Sequence, residues 1–418
     1  MAELPVYYEA RRVGGITSAP DGATFTYDAD WLTTRGAFPL SVLMPLSPAP
    51  VPPAIFLPWA ANLLPEAGNL AAISLHLGAA RDDIIAILAA IGRDTAGALS
   101  IGKPGTVNAG NWKPVRGAKA LERVIEELPA KPFLVGDEGV SMSLAGAQTK
   151  LGVAVNEAGQ ICIPVDGAPS THILKPDAER LYGSVQNEAL CLVLAGRCGL
   201  GAPAVTTGKA GKRSYALITR YDRIQRDGRW RRLHQEDYCQ ALGKPPAAKY
   251  EANQTGVPGP KLADMFALTR RIMQAPDVLA LLDQAVFNIL VCNTDAHAKN
   301  YSIMITANAF RLAPIYDVMC AAAWDGVTRN LAQKIAGKNR GDHLQLRHWQ
   351  RLAADCELNA PRLLARVREL ARAVLRELQK AADEVASMPA GSHPLMPEFC
   401  AAIAARTRNV LGGLSNGE

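Results

Sequence analysis

Two carboxylates and a carboxamide lie close together in Asn293-Thr294-Asp295-Ala296-His297-Ala298-Lys299-Asn300 and the later Tyr316-Asp317. These are the residue types that phosphoryl transfer uses. One carboxylate orients the attacking hydroxyl. An amide oxygen and a second carboxylate hold the magnesium that carries the phosphates of ATP. Asp295 and Asn300 have the spacing of the catalytic Asp and metal-binding Asn of a phosphotransferase loop. Asp317 follows two apolar runs, Tyr301 to Ile305 and Leu312 to Ile315, as a hairpin would supply it.

Three nearby features bear on the same chemistry. Lys175 ends the run Thr171-His172-Ile173-Leu174-Lys175 and precedes a helix carrying Glu188. A strand-end lysine of this kind grips α- and β-phosphates, although a surface lysine with its head in water fits the strand equally well. Ser143-Leu144-Ala145-Gly146-Ala147-Gln148-Thr149-Lys150 is built of small residues. Exposed N–H groups in such a turn form an anion nest, yet the spacing is neither G-x-G-x-x-G nor a Walker loop. His297 reads as a loop histidine that orients the carboxylate; the metal-ligand reading lacks a second His at zinc spacing. Lys299 either reaches the γ-phosphate or is simply solvated.

The elements that must position these groups follow from periodicity. Val6-Tyr7-Tyr8 and Thr24 to Tyr27 read as strands. The Pro-rich stretch Pro45 to Pro65 reads as a loop with one short helix near Trp59 to Leu64, and Leu70 to Leu77, Asp82 to Ile91 and Leu121 to Leu128 as helices. From Ser143 the pattern turns to strands: Leu151 to Val155, Ile161 to Val165, Thr171 to Lys175, Ala204 to Thr207 and Ser214 to Thr219, with a helix over Gln186 to Gly196. After Tyr221 it is helical, over Lys261 to Gln274, Pro276 to Val291, Gln345 to Asp355 and Pro361 to Met388. The division is an α+β N-terminal subdomain over 1–110, a linker over 111–142, a β-rich nucleotide-binding lobe over 143–221 and a helical catalytic lobe over 222–418. That is a protein-kinase-like two-lobed fold with an additional small N-terminal subdomain.

Bulk composition is permissive. The chain has 418 residues, 49% hydrophobic and 20% charged, with a net charge of +6. A mild positive balance suits ATP, an acidic protein or nucleic acid and selects none of them. The eight cysteines stand singly, which suits reduced core thiols rather than disulfides or zinc. Met1 to Arg12 has no apolar h-region, and the most apolar stretch, Ser41 to Pro65, holds seven prolines; a cytoplasmic protein without membrane contact is the expectation. Two basic features could meet nucleic acid or be wet faces: the Arg226 to Arg232 turn with its Trp230, and the helix bearing Arg362, Arg366, Arg368, Arg372 and Arg376.

In order along the chain stand Ser143 to Lys150, Thr-His-Ile-Leu-Lys-Pro, Asn187-Glu188-Ala189, Arg220-Tyr221-Asp222-Arg223, Leu233-His234-Gln235-Glu236-Asp237, Asp295 to Asn300 and Leu312 to Asp317. Together they resemble the HipA family of bacterial toxin serine/threonine kinases. Leu331 to Arg340 and Arg347-His348-Trp349 extend the likeness. The resemblance implies ATP and magnesium as cofactors, Asp295 as catalytic base, and Asn300 and Asp317 as magnesium ligands. It implies Lys175 and a loop of Ala145, Gly146, Ala147, Gln148, Thr149 and Lys150 on the phosphates. Thr219, Arg220 and Tyr221 would form the hinge against adenine, and His297, Lys299 and Tyr316 would line the nucleotide site. Ser143 would be the self-phosphorylated serine, with Ser141 as a competing site. It further implies an aminoacyl-tRNA synthetase as substrate, typically the glutamyl enzyme, and arrested translation with drug-tolerant dormancy. The implied partner is a small helix-turn-helix antitoxin, HipB-like, through which DNA is mainly reached. His-Arg-Asp and Asp-Phe-Gly are absent, and Tyr316-Asp317-Val318 stands in place of the latter. Two alternatives share these residues: a catalytically idle module that co-represses an operon with the antitoxin, and a kinase for a small molecule such as an aminoglycoside or choline.

Overall fold

A computed structural model describes residues 3–20, 22–107, 111–178 and 180–415. The chain forms two compact units. The first comprises residues 1–176, 209–246 and 303–310, and the second 177–208, 247–302 and 311–418.

The first unit contains a four-stranded and a six-stranded sheet. In one, the strands run in the order Gly22–Tyr27, Arg11–Ala19, Leu4–Tyr8, Leu99–Ile101. Thr24 to Tyr27 alternate in burial, as their sequence predicts. Arg11–Ala19 is absent from the sequence reading because Gly14 and Gly15 interrupt its pattern. A Cβ at Gly14 would lie 2.2 Å from the Thr26 carbonyl oxygen, so only glycine lets these strands approach so closely. The helix expected near Trp59 spans Pro53–Ala61 instead. Pro53 sits at its first turn, where a missing N–H costs nothing.

The other sheet is antiparallel: Trp112–Pro114 pairs with Ile161–Pro164, that strand with Leu151–Val155, then His172–Pro176, then Arg213–Thr219. These strands match the sequence expectation to within one or two residues at Leu151, Ile161 and Thr171. A buried ion cluster lies in this unit. Arg220 meets Asp222 at 2.7 Å, Arg223 meets Asp94 at 2.9 Å, and Arg232 reaches Asp94 at 3.4 Å.

Glu236 is a buried acid in the same unit. Its Oε1 accepts the N–H of Val42 at 2.8 Å. Burial raises its carboxyl to about 8, against an ordinary 4.5. The folded protein therefore keeps this proton while the unfolded chain loses it above 4.5. Its contribution to stability is complete below that value and falls as pH rises toward 8, at up to about 1.4 kcal/mol per pH unit. Glu236→Gln, which cannot ionise, is expected to gain urea resistance relative to the parent between pH 6 and 8.5. Parallel pH profiles for the two proteins would rule this out.

The second unit is helical. Ser184–Arg197, Leu262–Ile272, Ala275–Leu290, Leu346–Asp355, Ala360–Ala386 and Met396–Ser415 are its principal helices. Ala360–Ala386 runs through the middle and packs on the Ser184, Ala275 and Met396 helices. Its apolar face buries Leu363, Val367, Leu370 and Val374, as its spacing predicts. Arg366 is not on a wet face: its Nε and Nη2 each lie 2.7 Å from the Asp283 carboxylate. The Ser184 helix, which the sequence reading assigns to the β-rich lobe, groups with the helical unit. Met396–Ser415 escaped the sequence reading. Its buried face includes Arg406 and Thr407, and two glycines near its end weaken the helical signal. Among the described residues no helix is long and apolar enough to cross a membrane.

Candidate active site

Asp295 sits in a short segment after the Ala275–Leu290 helix. Asn293, Thr294, Ala296, His297, Ala298, Lys299 and Asn300 are buried, whereas Asp295 is exposed. Such an arrangement fixes a carboxylate and leaves it open to a reactant. The fixing is done by side-chain amides. Asn293 Nδ2 donates to Asn288 Oδ1 at 2.8 Å, and the Asp295 N–H donates to Asn293 Oδ1 at 3.1 Å. Asn288 Nδ2 donates to the Tyr301 hydroxyl at 3.2 Å. The Tyr250 hydroxyl donates to the Asp295 carboxylate. Tyr250 was not a candidate from sequence, because nothing at that position pairs it with a carboxylate forty-five residues later.

Asn300 Nδ2 donates to the Asp295 backbone carbonyl at 2.8 Å. This bond closes the loop and turns the other end of the amide, Oδ1, away from it. Asp317 arrives by a second route. The Tyr316 hydroxyl donates to the Lys299 carbonyl at 2.7 Å and shares a hydrogen with Ser302 Oγ at 2.6 Å. Asp317 itself has φ of +55°, the left-handed region that a non-glycine residue rarely adopts. Strain of this kind gathers where a side chain must be aimed. Asp295, Asn300, Tyr316 and Asp317 thus share one locality of the helical unit, and an amide oxygen with a carboxylate is a hard-oxygen donor set that suits magnesium.

His297 is buried, and its ring meets Tyr250 edge-on at 5.0 Å. Its Nδ1 has no hydrogen-bond partner among the described residues. Burial, then the Lys249 ammonium, hold its pKa well below the ordinary histidine range, so the ring is neutral. Lys299 is 5% exposed and is therefore not a solvated lysine.

The remaining candidates lie in the first unit. Lys175 is 4% exposed and pairs across the sheet with Ala216, which sets aside the surface-lysine reading. The Ser143–Lys150 stretch precedes the Leu151 strand. Ser143 is fully buried, its Oγ donating to the Leu63 carbonyl at 2.7 Å. Ser141 Oγ donates to the Ala90 carbonyl at 2.9 Å. Lys150 Nζ donates to the Ala145 carbonyl at 2.6 Å. Thr219 pairs with His172. The Arg220 guanidinium is enclosed by Asp222, Ser170 and the Thr95 carbonyl, so its side chain serves the ion cluster rather than a ligand. The Tyr221 hydroxyl donates to Gln235. Of the basic turn, Arg226 and Arg229 are exposed, Arg231 pairs with Glu9, and Arg232 is buried.

A β-rich unit with a buried strand-end lysine and a helical unit with an Asp/Asn loop are the parts of a protein-kinase-like two-lobed fold. Comparison with known proteins carries the assignment further. Residues 4–102 match the HipA N-terminal domain and residues 142–382 the HipA-like C-terminal domain. The chain is 35% identical to "Putative kinase Y4mE" of Sinorhizobium fredii, over 91% of this chain and 93% of that one. It is 30% identical to the serine/threonine-protein kinase toxin HipA of Shewanella oneidensis, over 90% of this chain and 88% of that one. A solved structure of the Shewanella oneidensis HipA, HipB and operator DNA complex superposes with a TM-score of 0.83 at 24% identity, covering 98% and 97% of the two chains. The chain belongs to the HipA family, and is an enzyme of the protein-kinase class.

Proposed function

We propose that this protein is an ATP-dependent serine/threonine kinase acting as the toxin of a toxin–antitoxin pair. In this reading Asp295 is the catalytic base that orients the substrate hydroxyl. Asn300 Oδ1 and the Asp317 carboxylate hold magnesium, which when bound neutralises charge on the phosphates. Lys175 and the Ala145–Lys150 loop hold those phosphates, the Thr219–Tyr221 backbone faces adenine, and His297, Lys299 and Tyr316 line the nucleotide site. The observation that carries this reading is the bond from Asn300 to the Asp295 carbonyl: it ties base and metal ligand into one turn.

The substrate in this proposal is an aminoacyl-tRNA synthetase, the glutamyl enzyme first, with growth arrest as the result. The partner is a HipB-like helix-turn-helix antitoxin, through which operator DNA is reached; the Shewanella oneidensis relative forms a complex of that composition. We further propose self-inactivation at Ser143. Its hydroxyl is wholly buried, so it becomes a phosphate acceptor only when its loop leaves. A phosphate of about −2 charge next to an anion-holding loop then prevents return.

The test is incubation with γ-labelled ATP, magnesium and a bacterial lysate. Label is expected on one synthetase-sized band and on Ser143 by mass spectrometry. Asp317→Ala is expected to abolish both labels and the magnesium-dependent thermal shift given by ATP. An unchanged shift in that variant would remove Asp317 from the metal site, and no label with the parent protein would remove the kinase reading.

A further inference from the structure

The Ser143–Lys150 stretch is held by residues from much earlier in the chain, all in the same compact unit. The Ser143 N–H donates to the Asp94 carbonyl at 3.0 Å, and the Glu66 N–H donates to the Gly146 carbonyl at 3.2 Å. Asn69 lies in the first turn of the Ala67–Leu77 helix and is 8% exposed. Its Nδ2 donates to the Ala147 carbonyl at 3.2 Å and to the Gln148 carbonyl at 3.5 Å. Three consecutive carbonyls, of Gly146, Ala147 and Gln148, are therefore drawn toward the start of one helix.

This has a consequence for the N–H groups. No peptide bond among the described residues is cis. In a trans peptide the carbonyl and the following N–H point in opposite directions. Drawing those carbonyls to one side turns the N–H groups of Ala147, Gln148 and Thr149 to the other. Among the described residues, none of the three donates to a backbone acceptor. Gly146 makes the turn possible, with φ of +104°. Successive N–H groups directed the same way form a concavity that binds anions.

We propose that Asn69, a residue of the N-terminal domain, is the positioning residue for this cradle, and that through it the N-terminal domain sets the affinity for the triphosphate. The proposal rests on the nucleotide-binding reading above. It gives the N-terminal domain a part in the enzyme: Asn69 never touches substrate, but it orients the peptides that do. An amide is required because the side chain must donate to carbonyl oxygens. An aspartate of the same shape presents an oxygen to those oxygens and pushes the peptides away.

The experiment uses the full chain as Asn69→Asp, Asn69→Ala and Asn69→Gln. Binding of a non-hydrolysable ATP analogue with magnesium is measured by calorimetry, and kcat and KM for ATP by phosphate transfer. Asn69→Asp is expected to weaken analogue binding about tenfold and Asn69→Ala severalfold, as for lost hydrogen bonds. The loss should fall on KM more than on kcat, and Asn69→Gln, which keeps the donor, should recover part of it. A purely structural role would lower the melting temperature while leaving the affinity of the folded protein intact, and that outcome overturns the proposal. Failure of the parent protein to bind the analogue would overturn the nucleotide site itself. Binding by the parent with equal binding by Asn69→Asp would overturn only the part assigned to Asn69.

Discussion

Asp295→Asn is expected to lower phosphate transfer by about a hundred- to ten-thousandfold, the range for loss of a positioned general base. Folding and nucleotide binding should survive. The side chain is exposed amid buried neighbours, so its replacement empties no core. Asparagine keeps an oxygen for the Tyr250 hydroxyl, and the backbone bonds to Asn293 and Asn300 do not involve the carboxylate. What disappears is the negative charge that draws the substrate proton. The measurement is single-turnover transfer of the γ-phosphate at saturating ATP, with analogue binding as the control for the site. Transfer at the parent rate would show that another group takes the proton, and the Asp295 assignment would fall. Loss of binding alongside loss of transfer would instead mean that Asp295 helps hold the nucleotide.

Local signals were legible where chemistry and secondary structure coincide in a few residues. The spacing of Asp295 and Asn300 is set by one loop, so sequence alone shows it, and the hydrogen bond between them follows. The apolar run at Leu151–Val155 and the helix spacing at Ala360–Ala386 were equally visible, because the strand is buried almost throughout and the helix buries one face. Long-range partners were not visible. Asn69, Asp94 and Tyr250 have no local pattern. Each acts on a segment 45 or more residues away, and only the folded chain brings them there. Arg220 illustrates the same limit from the other side. The resemblance puts it in the adenine hinge, and what its guanidinium holds, Asp222, Ser170 and the Thr95 carbonyl, shows only in the folded chain. The basic turn at Arg226 to Arg232 read as one charged tip, but Arg232 turns inward to the Thr106 and Gly167 carbonyls. Charge in a sequence does not say which guanidinium finds a buried acid.

The largest stability effect is expected from that buried acid. Asp94 is 3% exposed at its side chain, and around it lie Arg220, Arg223 and Arg232 at 2%, 0% and 0%. Its Oδ2 also accepts the Ser170 hydroxyl at 2.6 Å and the Ser170 N–H at 3.1 Å. Asp222 is the only other carboxylate in these contacts among the described residues, bonding to Arg220 and Arg223. Asp94→Ala therefore leaves three buried guanidiniums facing one carboxylate. Removing one partner of a buried ion pair costs about 3–5 kcal/mol, because the charge left behind stays desolvated. Most of a domain's stability is of that size. Asp94→Asn, which keeps an acceptor for Ser170 but not the charge, should fall between. Urea unfolding followed by amide exchange in the His172 and Arg213 strands measures both; a loss below about 1 kcal/mol for Asp94→Ala would deny the cluster its role. The acid limb gives an independent check. Burial alone would raise both carboxyls, but the arginines overcome it: Asp94 lies below the ordinary carboxylate range and Asp222 falls to about 2. A lowered carboxyl contributes stability above its unfolded value of 3.8 and loses it as pH falls toward the folded one. The parent should thus lose stability between about pH 4 and 2 more steeply than Asp94→Ala, which has one such carboxylate fewer to protonate.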